Sequence, residues 1–186
     1  MLCPEFPLGT DRLVLRPFTA GDVDDVWDYQ RRPEVARHML WAAREREQTR
    51  LVVEEMAGEV ALRKARDCLS MAVFWPEIGR VVGQVELVWL SEEHHQGEVG
   101  YVFNPDHHGK GLATEAVREV LRLGFEELGL HRVIGRCSAH NTASARLLER
   151  LGMRREAHFL HSALVKGEWR EEMIYAILAD EWRSAG

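Results

Sequence analysis

Residues 98 to 114 combine a strand, a glycine-bearing turn and a helix start, an order that can bind an anion. Glu98 to Phe103 alternates around Gly100 and is rich in Val and aromatic residues, which predicts a strand. Asn104-Pro105-Asp106 ends it, because proline cannot donate to a ladder and Asn and Asp favour turns. An amphipathic run then extends from Thr114 to Leu128. Backbone N–H groups converge at such a helix start and the helix dipole is positive there, so we expect a phosphate site.

The turn itself does not match the two common nucleotide-binding motifs. A P-loop requires Ser or Thr directly after its lysine, whereas Gly111 follows Lys110. The dinucleotide fingerprint G-x-G-x-x-G is met at Gly109 and Gly111, but Thr114 stands where the third glycine should be. The simpler alternative is that the turn merely joins a strand to a helix.

Histidines are numerous, yet their spacing does not indicate a metal site. His94-His95 and His107-His108 are adjacent pairs, whose side chains diverge on extended backbone. His158 and His161 are three residues apart on a predicted strand and face opposite ways. Since none of these has the i, i+4 helical spacing or a cysteine partner of a zinc site, we expect no metal.

Length and composition indicate one globular domain, residues 1–186, and the resemblance described below places its core at about 10–182. The 24 basic and 30 acidic residues give a net charge of −6, which disfavours a nucleic-acid partner. Cys3, Cys68 and Cys137 are widely spaced and form no disulfide framework, as in a reducing compartment. The first residues lack the features of a signal peptide, and no apolar run reaches the ~18 residues of a membrane span. We therefore expect a cytoplasmic protein that contacts no membrane.

Periodicity and turn residues predict seven strands and four helices. The predicted strands cover residues 12–18, 69–75, 80–90, 98–103, 131–138, 154–164 and 170–178. The predicted helices cover residues 20–30, 43–65, 114–128 and 143–151. Meandering strands joined to βα units imply a mixed sheet with helices on its faces, in the α/β (α+β) class.

Four segments resemble the GNAT family of N-acetyltransferases. The turn resembles the family's pyrophosphate loop, [Q/R]-x-x-G-x-[G/A], with His108, Gly111 and Ala113 at the three defined places, and His108 departs from the pattern. Residues 141–153 resemble Asn-x-x-Ser followed by a helix that ends in Leu-Gly-Phe, with Met instead of Phe. Residues 10–22 and 166–182 are similar to the two ends of the branch that holds the ribosomal-protein-alanine N-acetyltransferases.

This resemblance implies a GNAT-like, mostly antiparallel sheet that splays between the fourth and fifth predicted strands. The pantetheine arm of acetyl-CoA would lie along the exposed edge of the fourth strand, at Tyr101, Val102 and Phe103. The pyrophosphate would be held by the turn and helix start, with charge added by the lysine. The implied pyrophosphate contacts are His108, Gly109, Lys110, Gly111, Leu112, Ala113 and Thr114.

The resemblance also implies catalytic residues. Glu98 is expected to relay the proton of the amine, with Glu86 on the preceding strand as the alternative. Ser144 is expected to stabilise or protonate the CoA thiolate, and Asn141 to orient the cofactor. Many relatives place a tyrosine acid where this chain has Leu148. Both Ser144 and Asn141 are equally suited to a plain role at the start of a helix.

The function implied is direct transfer of an acetyl group from acetyl-CoA to a primary amine, either a protein N-terminus or a small molecule. Trp41 is expected to contribute an aromatic wall to the acceptor site. The alternative is an acyl-CoA sensor or interaction domain that has lost its acid–base groups, which Leu148 favours. The acceptor and the oligomeric state, including a homodimer, stay open.

Overall fold

The computed structural model describes residues 1–185 and contains one eight-stranded sheet with strand order β1-β2-β3-β4-β5-β6-β8-β7. The strands are β1 Leu8–Gly9, β2 Val14–Arg16, β3 Cys68–Trp75, β4 Arg80–Ser91, β5 Gln96–Phe103, β6 Arg132–Ser138, β7 Arg154–Val165 and β8 Glu168–Leu178. Neighbouring strands are antiparallel except β5 and β6, which are parallel. The mixed, mostly antiparallel sheet expected from the sequence is confirmed.

Within residues 1–185, six α-helices accompany the sheet. They are α1 Val23–Gln30, α2 Pro33–Ala36, α3 Arg46–Gly58, α4 Leu112–Arg122, α5 Thr142–Arg150 and α6 Ala179–Ala185. A π-helical turn, Leu123–Glu127, continues α4 towards the predicted end of that helix. Among the described residues, no helix is long and apolar enough to cross a membrane.

The helix predicted over residues 43–65 is wrong at both ends. At its start, Glu45 is extended and its backbone N–H donates to Gln48, so the helix begins at Arg46. At its end, Gly58 is a poor helix former and Glu59 leaves the helical conformation. Leu62 then pairs with Leu2 in an isolated bridge, which requires extended backbone.

Two hydrophobic clusters cover opposite faces of the sheet. Helices α4 and α5 pack on one face with Val99 and Phe103 of β5, and α1 and α3 pack on the other with Val102. Since side chains alternate along a strand, Tyr101 belongs to the α4–α5 face, whereas Glu98 and Gly100 belong to the α1–α3 face. Strand β5 therefore carries a phenol on the α4–α5 face and a carboxylate on the α1–α3 face.

The sheet opens between β5 and β6. Their pairing extends only from Gln96 opposite Arg132 to Val99 opposite Gly135. Beyond that point β5 continues beside β4, while β6 continues beside β8. The splay expected between the fourth and fifth predicted strands is thus present, and these strands are β5 and β6 because the short β1 was not predicted.

Candidate active site

The anion loop, residues 108–114, presents a row of backbone amides at the start of α4. Gly109 and Gly111 have φ angles of 76° and 80°, in the left-handed region that glycine tolerates. Within residues 1–185, none of the amides from Gly109 to Thr114 donates to a protein acceptor. These groups are therefore available to an anion, as the sequence predicted.

Two arginines fasten the anion loop to the rest of the fold. Arg32, beside α1, makes two 2.7 Å bonds to the carboxylate of Asp106 just before the loop. Arg12 donates to the carbonyl oxygen of Lys110 at 2.9 Å and to Glu115 of α4 at 2.8 Å. The loop is thus held in shape by side chains that approach it from both sides.

The side chains of the anion loop point away from its amides or into solvent. The ammonium group of Lys110 lies 5.0 Å from the centroid of the Trp75 ring, in a cation–π contact. His108 is exposed. The presentation of anion-binding groups by this loop is consequently a property of its backbone.

A cavity of about 570 Å³ opens beside the anion loop, between α4 and the chain segment that precedes β2. Its lining includes Arg12, Arg118 and Arg150 as well as Gly111 and Thr114. Asp11, Glu115 and Glu119 also line the cavity, so the formal charges of its lining balance. Its suitability for an anionic ligand therefore depends on the adjacent helix N-terminus.

The gap between β5 and β6 is bordered by the first turn of α5. Asn141 caps this helix, because its side-chain oxygen accepts a 3.1 Å bond from the amide of Ser144. In the described part of the chain, the side-chain nitrogen Nδ2 of Asn141 makes no hydrogen bond and can donate to a ligand, whereas its backbone N–H donates to the carbonyl oxygen of Ser138 at 2.8 Å. The hydroxyl of Ser144, a largely buried residue, lies 2.6 Å from that of Tyr101.

Leu148 occupies the place where many relatives carry a tyrosine acid, and its side chain is wholly buried. Its Cδ2 atom would be 2.7 Å from a Cβ atom at Gly135 of β6, so the leucine fills the space that this glycine provides. A tyrosine at this position would have no room for its ring without displacing β6. Leucine at position 148, where many relatives have tyrosine, is therefore part of the packed core.

Glu98 lies on the opposite face of β5, close to Arg136 of β6. Their carboxylate and guanidinium groups are 3.3 Å apart, and Arg136 also lies 3.6 Å from Glu172. Burial raises the pKa of Glu98, and Glu172 adds to the effect, although the positive charge of Arg136 opposes it. A carboxylate with a raised pKa is a better proton acceptor than an ordinary one.

Glu86 of β4 lies on the same α1–α3 face as Glu98 but diagonally across the strand pair, because Glu98 pairs with Val88. Glu86 is opposite Gly100, and a Cβ atom at that glycine would be 3.1 Å from its carboxylate. Gln84 donates to it at 2.7 Å. Burial raises the pKa of Glu86, and the nearby carboxylate of Glu59 raises it further.

A buried polar network connects Glu86 to α1, and the sequence analysis missed it. The side-chain oxygen of Gln84 accepts bonds from the hydroxyl of Tyr29 at 3.1 Å and from Gln30 at 3.0 Å. Arg44, which stacks on the ring of Trp41, donates to Gln30 at 2.8 Å. The signal for this network was the pair of polar residues Gln84 and Glu86 in the middle of a largely apolar strand.

The two thiols near the site are poor nucleophiles. Burial raises the pKa of Cys68 to about 12 and that of Cys137 to about 11. Among the described residues, no three His, Cys, Asp or Glu side chains are grouped so that they could hold a metal ion.

Comparison with known proteins identifies similar chains. A profile of the family described as Acetyltransferase (GNAT) domain matches residues 12–154. The Uncharacterized N-acetyltransferase YnaD of Bacillus subtilis (strain 168) is 32% identical over an alignment of 179 positions. This alignment covers 93% of this chain and 97% of YnaD. A crystal structure of a GNAT-family acetyltransferase from Bacillus anthracis superposes with a TM-score of 0.83 at 32% identity, and the match covers 94% of this chain and 99% of that one.

A more distant relative bears on the branch within this family. The ribosomal protein uS5-alanine N-acetyltransferase of Escherichia coli (strain K12) is 25% identical over an alignment of 186 positions, gaps included, that covers 96% of this chain and 94% of that protein. This identity is lower than that to YnaD. The branch expected from the two ends of the chain therefore stays a prediction.

Proposed function

Because this chain belongs to the GNAT acetyltransferase family and is an acetyl-CoA-dependent acyltransferase, we propose that it transfers the acetyl group directly to a primary amine. The observation on which this proposal depends most is the gap between β5 and β6. Backbone pairing stops there, so a donor on the face that carries Ser144 and an acceptor on the face that carries Glu98 would meet at this gap.

The donor would bind along the α4–α5 side of the gap. The unpaired edge of β5 at Tyr101 to Phe103 would receive the pantetheine arm as an added strand. The amides of the anion loop would bind the pyrophosphate. The cavity beside the anion loop, next to the N-terminus of α4, suits the nucleotide end.

The acceptor would approach from the α1–α3 face. Glu98 and Glu86 lie on that face at diagonal positions of β5 and β4, and such carboxylates suit an amine that is a cation in solution. Trp41 and its stacked arginine border this region, which supports an aromatic wall at the acceptor site. Either a protein N-terminus or a small-molecule amine meets these requirements.

Glu98 is proposed as the group that removes the proton of the amine. Alkyl amines are mostly protonated at neutral pH, so a proton acceptor is required before the nitrogen can attack. The raised pKa of Glu98 brings its basicity nearer to that requirement. Glu86 is the alternative, because its carboxylate lies on the same face at Gly100.

Ser144 is proposed to stabilise the sulfur that leaves the acetyl group, and Asn141 to orient the cofactor through its side-chain amide nitrogen. Direct transfer is favoured over an enzyme-bound acetyl group because Cys68 and Cys137 both have pKa values far above neutral pH. A cytoplasmic location is part of the proposal, since all three cysteines are unpaired thiols.

The test is release of free thiol from acetyl-CoA in the presence of a panel of amines. The panel contains peptides with different N-terminal residues, polyamines and amino sugars, each beside its N,N-dimethyl analogue as a matched control. We expect thiol release with at least one primary amine and none with its dimethyl analogue. Tight acetyl-CoA binding without release across the panel would favour the sensor alternative instead.

A further inference from the structure

A side-chain contact crosses the gap between β5 and β6 just where backbone pairing stops. Tyr101 follows the last paired residue, Val99, by two positions. Its phenol oxygen lies 2.6 Å from the hydroxyl oxygen of Ser144 and 3.3 Å from the carbonyl oxygen of the same residue. The phenol therefore ties β5 to the first turn of α5.

The direction of this hydrogen bond follows from acidity. A phenol, with an ordinary pKa of about 10, is a much stronger acid and donor than an alkyl hydroxyl. Burial raises the pKa of Tyr101, so its proton stays in place at physiological pH. When Tyr101 donates to the serine hydroxyl oxygen, the hydrogen of that hydroxyl is free to point to another neighbour.

A sulfur atom of the fold lies near this hydroxyl. Burial raises the pKa of the Cys137 thiol on β6, and the neighbouring hydroxyl of Ser144 opposes that effect. A hydroxyl that favours an anionic sulfur in this way provides the interaction that a departing CoA requires.

On the basis of the proposed function, we propose that Tyr101 is a positioning residue that donates to Ser144 and so directs the serine hydroxyl at the CoA sulfur. When the thioester C–S bond breaks, its electron pair stays on sulfur and accepts this hydrogen bond. The proton lost by the amine leaves on the other face through Glu98, and the proton of Tyr101 does not move. The phenol that Leu148 cannot supply from α5 would be supplied here from β5.

The first test compares Tyr101→Phe, which keeps the ring and removes the hydroxyl, with Ser144→Ala and the double variant. We expect Tyr101→Phe to lower kcat roughly 10-fold, with the KM for acetyl-CoA unchanged. In the Ser144→Ala background it should have no further effect, because both changes remove the same contact. Tyr175→Phe is the matched control, since this buried phenol bonds Glu149 of the same helix at 3.3 Å without reaching Ser144.

A second measurement needs no acceptor amine. The pKa of the thiol of bound CoA is read from the ultraviolet absorbance of its thiolate as the pH is varied. A hydroxyl that donates to the sulfur favours the thiolate, so Tyr101→Phe and Ser144→Ala should raise this pKa by the same amount, and Tyr175→Phe should not.

These results separate the inference from the proposed function. A wild-type kcat and bound-thiol pKa in Tyr101→Phe, with both changed in Ser144→Ala, would overturn the role of Tyr101 alone. Additive losses in the double variant would also overturn it. A wild-type bound-thiol pKa in both single variants would remove the hydroxyl role of Ser144 as well, and failure to acetylate any amine would count against the proposed function.

Discussion

On one face of the sheet the anion loop presents backbone amides, whereas on the other Gln84 and Glu86 present side chains held by Tyr29 and Gln30. The amides lie within seven consecutive residues, so one short segment determines their geometry. The side chains come from positions about 55 residues apart, which only the tertiary fold brings together. Donor binding should therefore depend on local backbone conformation, and acceptor chemistry on individual side chains.

The largest effect is expected for Gly111→Val. A valine at a φ of 80° is strained and stands 3.4 Å or less from the Arg12 guanidinium, so the loop must change shape. We expect acetyl-CoA affinity to fall by roughly 100-fold or more, because several amides move together. The measurement is calorimetric titration of the folded variant.

Gly129→Val is the matched control for that variant. Gly129 has a φ of 73°, beyond the opposite end of α4, and an added Cβ would meet nothing within 4 Å. It imposes similar backbone strain without touching the loop. Equal losses of affinity in the two variants would mean that general strain, and not the anion loop, is responsible.

A smaller effect, on turnover alone, is expected for Glu98→Gln. We expect kcat to fall roughly 10²-fold at neutral pH while acetyl-CoA affinity is kept, as for loss of a general base. Because the pKa of Glu98 is raised, wild-type turnover should decline with falling pH already above the ordinary glutamate range of about 4.3. The loss of kcat in Glu98→Gln relative to the wild type should shrink at alkaline pH, where the neutral amine is abundant.

Glu86→Gln, on the adjacent strand, sharpens this assignment. We expect its kcat to fall less than about 10-fold, since Glu98 is the proposed base. A larger fall of kcat in Glu86→Gln than in Glu98→Gln would mean that Glu86, and not Glu98, is the base.

The same Glu86→Gln variant should be more stable than the wild type at pH 8. A carboxyl group whose pKa is higher in the folded chain favours folding while protonated, so its contribution is present below about pH 4. It is lost as the pH rises through the folded-state pKa, and glutamine avoids that loss. We expect the Tm at pH 8 to rise by about 2 °C or more, with a smaller difference at pH 4. A lower Tm at pH 8 would contradict the raised pKa.

The smallest effect is expected for His108→Gln, which restores the usual residue of the family pattern. The exposed side chain of His108 has no part in the amide row. We therefore expect acetyl-CoA affinity to change by less than about 2-fold. A large gain would show that a side chain at this place contributes to binding after all.

The sequence predicted the local features of the fold and the site better than the contacts between residues that are distant along the chain. The anion loop and the cap at Asn141 are local features, and Gly109, Gly111 and Asn141 mark them directly, whereas the splayed strand pair was expected only from the family resemblance. The predicted end of α3 was wrong because the apolar stripe continues past Gly58, although the chain there is extended and pairs with Leu2.

The remaining parts of the site depend on contacts that no local pattern contains. Arg12 reaches the loop from 98 residues away in sequence, and Tyr101 meets Ser144 from 43 residues away. Such pairs become visible only when the fold places β5 beside α5 and the N-terminal segment beside α4.

The most direct test of the account is the pattern of initial rates when acetyl-CoA and the best amine are varied together. Direct transfer across the gap requires both substrates to be bound at once, so the account predicts double-reciprocal lines that intersect. Protein incubated with acetyl-CoA alone should also carry no covalent acetyl group by mass spectrometry. Parallel lines together with an acetylated Cys68 or Cys137 would contradict it, because they would show an enzyme-bound intermediate instead.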